Sequence, residues 1–107
     1  MITIKNLRKE QPSELWDIRV DRKCILGNPY YLSNKFDDGE RAKVCNKYKK
    51  YFNHIILASE QHIDFMAELN RLKEIHQKYG KLNLFCWCAP KKCHAETIKQ
   101  YLEREEK

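Results

Sequence analysis

The segment "KLNLFCWC", residues 81–88, limits what this chain can fold into more than any other stretch. It is short, apolar and bounded by Gly80 and Pro90, the pattern of a buried strand. Two stretches of a different period precede it. Between Glu40 and about Ala58, the residues Val44, Cys45, Tyr48, Phe52, Ile55 and Ile56 recur at three- and four-residue spacing, which places them on one helical face. Asp37 or Asp38 can cap that helix. From about Glu60 to Tyr79 a second stripe runs through Ile63, Met66, Leu69, Leu72 and Ile75, with Gly80 as its natural stop. A buried strand after two amphipathic helices requires other strands beside it. The β-branched start "ITI" within residues 1–8 and the alternating "LWDIRV", 15–20, are the candidates. "CILGNPYYLSNKFDDGE", 24–40, carries turn punctuation and reads as a loop. A last helix runs from about His94 to Arg104 with Ile98, Tyr101 and Leu102 facing inward. The order β, β, loop, α, α, β, α predicts an α/β fold. The expected form is a compact, Rossmann-like single domain over residues 1–107, with a small, mostly parallel sheet flanked by helices.

Function classes narrow next. No apolar run approaches the roughly 18 residues of a membrane span, and "MITIKNLRKEQ" lacks the apolar core of a signal peptide. The expectation is a cytoplasmic protein whose five cysteines are free thiols, an odd number that does not complete a disulfide framework. The net charge of +6 is spread along the chain, with small clusters at "KYKKY", 47–51, and at Lys91-Lys92. Interleaved acidic residues make this a mixed-charge surface, so a nucleic-acid partner is weakly supported. A site for an anionic ligand is the other reading of the same charge.

Chemistry concentrates in "NLFCWCAPKKCHAETI", 83–98. On a strand, Cys86 and Cys88 share one face while Phe85 and Trp87 share the other. Cys93 and His94 follow at a strand-to-helix turn, where unpaired N–H groups favour anions and lower the pKa of a thiol. Three readings stand. Cys86, Cys88, Cys93 and His94 form a complete set of zinc-ligand types, but the spacing departs from the usual knuckle and an adjacent Cys-His pair rarely aims at one ion. No stoichiometric zinc is therefore expected. Cys86 and Cys88 also suit a plain core, with Cys24 and Cys45 structural as well. The third reading is a pocket at Cys93 and His94, since α/β sheets bind ligands beyond the carboxyl ends of their strands.

"LGNPY" is the second unusual feature. Gly27 permits a tight turn, and Pro29 confines Asn28 to extended backbone, which aims its amide in one direction. That amide can read a base, a ribose or a neighbouring backbone group. Neither phosphate-cradling glycine motif is present.

Together these features resemble the domain of unknown function 4326 family, small domains found in phages and bacteria. The matching residues are Gly27-Asn28-Pro29-Tyr30, then Asp38-Gly39-Glu40-Arg41 with Tyr48, then Cys86-Trp87-Cys88-Ala89-Pro90 and Cys93-His94. They cover roughly residues 15–105. The chain departs from the pattern at "DRKCILGNP", where Arg19 or Arg22 takes the place of the family's basic residue. The resemblance implies a compact Rossmann-like α/β fold, no established activity, and one site that joins the GNP loop, Arg41 and the Cys-His turn.

Three functions compete on these residues. The first is binding or processing of a phosphorylated, nucleotide-like molecule. Arg41, Lys91 and Lys92 would hold phosphate, Asn28 and Tyr30 would contact the ligand, and Trp87 or Tyr30 would stack on a base. If the protein is an enzyme, Cys93 is the nucleophile or His94 the general acid/base. The second is a zinc-stabilised module for nucleic acid or protein. The third is a phage host-directed inhibitor or ligand sponge without catalysis.

Overall fold

The structure, a computed structural model, describes residues 1–21, 24–30, 33, 37–87 and 93–105. Three strands, β1 (Ile2–Asn6), β2 (Asp17–Arg19) and β3 (Leu82–Cys86), form one sheet in the order β1-β3-β2. Both pairings are parallel, with Ile4 and Ile18 each opposite Leu84. The strand anticipated over 81–88 is therefore the central one, where its apolar run belongs. Its last described strand residue is Cys86, and Trp87 already lies beyond it, 48% exposed.

Side-chain alternation divides the sheet. Ile2, Ile18, Val20, Leu82, Leu84 and Cys86 join a single buried cluster. The helices supply the rest of that cluster: Tyr48, Phe52 and Ile55 from α1 (Asp38–Leu57), Phe65, Leu69 and Leu72 from α2 (Ile63–Tyr79), and Ala95, Ile98 and Leu102 from α3 (Ala95–Glu105). The opposite parity carries Lys5, Asp17, Asn83 and Arg19, with Leu7 and Phe85 buried outside the main cluster. The connection 7–16 returns there from the carboxyl edge of β1 to the amino edge of β2. It closes on Asp17, whose carboxylate accepts from Asn83 Nδ2 at 2.7 Å and from the backbone of Ser13 and Glu14 at 3.1 Å. No helix among the described residues is long and apolar enough to cross a membrane.

The helix ends follow local chemistry. Asp37 caps α1 by accepting from the Glu40 N–H at 3.1 Å. Gly80 ends α2 in the left-handed region at φ 72°. The second helix begins later than its periodicity predicts. Ser59–Gln61 form a tight 3₁₀ turn, which leaves Ile63 at the first helical position and 73% exposed instead of on the buried stripe. Phe65 takes the inward place there. In α3 the anticipated Ile98 and Leu102 are fully buried, and Tyr101 packs partly against the core.

Candidate functional site

Parallel strands deliver their carboxyl ends to one edge. Here the segment after β2, Tyr48 of α1 (Asp38–Leu57) and the turn into α3 meet. His94 sits at the centre, 8% exposed, with Nε2 against the Val20 carbonyl. A carbonyl oxygen only accepts, so Nε2 carries a proton and donates it. In the neutral ring Nδ1 is then the acceptor, and Cys93 Sγ lies 3.5 Å from it. The geometry thus pairs a thiol donor with an imidazole acceptor whose tautomer is set by the backbone. Cys93 is itself held: its N–H donates to Glu96 Oε2 at 3.1 Å, and its carbonyl accepts from the Glu96 N–H. The Cys93 amide therefore already has an acidic partner, in place of the unpaired N–H groups expected at this turn.

His94 connects to the GNP loop through Tyr48. The two rings pack edge to face with centroids 5.0 Å apart. Tyr48 in turn donates its hydroxyl to the Leu26 carbonyl at 2.7 Å. Burial pushes the Tyr48 phenol well above its ordinary value, with Tyr51 and Cys93 adding to the shift, so it remains a donor. Within the loop, the Asn28 side-chain oxygen accepts from the Tyr30 N–H at 2.9 Å, spanning Pro29. The amide thus grips a neighbouring backbone group, one of the three acts foreseen for it. Tyr30 rests edge-on against Tyr51, centroids 6.1 Å apart, with the Lys47 ammonium 5.9 Å from its ring.

Arg41 is 7% exposed and shares its helix face with Cys45 and Tyr48, four and seven residues on. Seven residues of helix rise about 10 Å, so the Arg41 backbone lies about that far along α1 from the Tyr48 that touches His94. Between α1 and α3 a cleft of about 110 Å³ is lined by Cys45, Lys49, Cys93, Glu96 and Gln100, among others. The structure thus links Cys93, His94, Tyr48 and the GNP loop by direct contact, with Arg41 on the same helix face. Cys86 is core, at 1% exposure. Cys88, Lys91 and Lys92 fall outside the described residues, as does Arg22. Among the described residues no three His, Cys, Asp or Glu side chains are placed to hold a metal ion.

One residue escaped the sequence reading. Asp21, 3% exposed, accepts from Arg19 Nε at 3.2 Å, Arg19 Nη2 at 2.6 Å, Cys24 Sγ at 3.3 Å and Trp87 Nε1 at 3.2 Å. Desolvation pushes its carboxyl up, but the hydrogen bonds from Arg19, Cys24 and Trp87 and the Arg19 charge outweigh it, and the net shift is downward. An aspartate directly after a strand normally faces water, so composition offers no signal. The available clue is parity: Arg19 and Asp21 lie two residues apart on the same side of a strand.

No curated protein and no solved structure matches this chain. A family model does, over residues 4–104, a span that takes in the GNP loop, Arg41 and the Cys-His turn. The chain belongs to the family described as Domain of unknown function (DUF4326).

Proposed function

We propose that the carboxyl edge of the sheet binds a phosphorylated, nucleotide-like small molecule. The observation that carries this reading is the shared face of α1, on which Arg41 lies two turns from the Tyr48 that rests against His94. A guanidinium fork suits phosphate, since it offers paired N–H donors in one plane. Lys91 and Lys92, next in sequence to Cys93, add positive charge to the same turn. The turn closed by Asn28 holds Tyr30, whose ring packs on Tyr51, and this reading assigns it to the ligand.

The catalytic form of the reading assigns Cys93 as nucleophile and His94 as its base. Nδ1 takes the thiol proton while Nε2 stays on the Val20 carbonyl, which keeps the ring from turning away. A reducing cytoplasm, which preserves the thiol, is the compartment this reading requires.

Calorimetric titration with inorganic phosphate and with the four ribonucleoside 5′-monophosphates tests it. Arg41→Ala is expected to weaken binding by about 1.5–3 kcal/mol, the range for a charge-assisted hydrogen bond. Unchanged affinity in a variant with a native circular dichroism spectrum would remove phosphate recognition from this edge.

A further inference from the structure

We propose that Trp87 and Arg19, both held by Asp21, form a stacking platform for a nucleobase on the side of the sheet away from the helices. This surface lies on the opposite face of the sheet from the core that the Tyr48 face of α1 covers. Arg19 alternates with Ile18 and Val20, which enter the helix-covered core, so Arg19 faces the other way. Trp87 has the parity of Phe85, also outside that core cluster, and it leaves the carboxyl end of the central strand.

Two features separate this pair from ordinary surface residues. Trp87 is 48% exposed, although burying an indole is among the larger apolar gains open to a small domain. Yet it is not loose. Its Nε1–H is fixed to Asp21 Oδ2, the same oxygen that accepts from Arg19 Nη2, so indole and guanidinium converge on one atom of a buried carboxylate. The far side of the strand end is tied as well, where Asn6 Nδ2 donates to the Trp87 carbonyl at 3.4 Å. An exposed aromatic ring with its rotation arrested has lost its entropy before any ligand arrives, which favours stacking. Arg19, whose side chain is 42% exposed, gives Asp21 one N–H from Nε and one from Nη2, and a guanidinium has five. The remainder can meet acceptor atoms at a base edge or a phosphate oxygen. A planar ring with acceptors at its rim and negative charge beside it is the chemistry this surface recognises. The base of a nucleotide, with its phosphate close by, meets that description, and stacking tolerates any of the bases.

Trp87 emission reports the site once the chain's other tryptophan is replaced, so Trp16→Phe serves as the background protein. The probes are adenosine, adenosine 5′-monophosphate, ribose 5-phosphate and a single-stranded octamer of deoxyadenosine. Adenosine and its monophosphate should quench the emission saturably, and ribose 5-phosphate should not. Trp87→Ala should weaken adenosine binding by roughly tenfold in calorimetry, with Trp87→Phe recovering part of the loss. Asp21→Asn keeps a side-chain oxygen but loses the charge shared by the two donors. It should weaken quenching while Trp87 remains in place, a readout that folding stability alone does not move. Arg41→Ala should leave adenosine quenching unchanged, since Arg41 lies on the helix-covered side, so failure of phosphate recognition there is seen separately. Tighter binding of the octamer than of the monophosphate would identify a strand as the source of the base, and equal binding a free nucleotide; both uphold the platform. Absence of saturable quenching by adenosine and the octamer, or an unchanged adenosine affinity in Trp87→Ala, would overturn it.

Discussion

The indole N–H of Trp87 donates to the Asp21 carboxylate at 3.2 Å, joining residues 66 positions apart at the carboxyl edge of the sheet. The bond ties the end of the central strand to the segment that leaves β2. Everything at this edge is arranged around such short tethers: Asp21 on one side of the sheet, His94 and Tyr48 on the other.

The first prediction concerns acid stability. Asp21 and Asp17 are both held below the ordinary carboxyl value. In each, desolvation is overcome by hydrogen bonds, from Arg19, Cys24 and Trp87 to Asp21 and from Asn83, Ser13 and Glu14 to Asp17. A depressed folded pKa contributes stability that is present above the unfolded value of about 3.9 and is lost as pH falls through the folded one. Asp21→Ala should therefore cost about 1.5–3 kcal/mol near neutrality, and the gap to the parent should narrow as acid is added. Urea midpoints measured across the acid range test this. A gap that does not change with pH would refute the linkage.

Cys24 supplies a second prediction. Burial pushes its thiol up, and the hydrogen bond to Asp21 and that carboxylate's charge push it further. Only the thiolate reacts, so alkylation of Cys24 by iodoacetamide at neutral pH should be slower than that of a free cysteine. Asp21→Asn should speed it. Peptide mass mapping over time distinguishes the two proteins, and equal rates would contradict the coupling. In the unfolded chain without reductant all five thiols should react.

Removing one hydroxyl should loosen the GNP loop. Tyr48→Phe leaves the Leu26 carbonyl buried without its 2.7 Å donor, at a cost of about 1–3 kcal/mol. Amide exchange should quicken around residues 26–28, beyond any global change. Protection that stays unaltered there would show that the loop is held by other means.

Gly80 offers a conformational test without a packing term. Its φ of 72° is unfavourable for side chains, but a Cβ built there meets nothing within 4 Å. Gly80→Ala should destabilise by roughly 1–2 kcal/mol from backbone strain, and Gly80→Asn by less, because asparagine tolerates the left-handed region. Equal thermal midpoints for the parent and both variants would argue against this account.

Much of the architecture was legible in the chain by itself. Helical periodicity marked α1, α2 and α3, and the apolar run between Gly80 and Pro90 marked the central strand, because period and burial are local consequences of which side chains must leave water. The same locality identified Asp37 as a possible cap and Gly80 as a stop. The pairing of Cys93 with His94 could be suspected from adjacency, though not its geometry. Tertiary structure alone decided the rest. It placed Val20 and Tyr48 around His94, which selects the proton's nitrogen, and set Asp21 beneath Trp87. Those partners lie tens of positions away, and their hydrogen bonds depend on strand register and on which loops meet at one edge. Periodicity reports the direction in which a residue faces. What it meets there is set by the order in which three parallel strands are laid side by side.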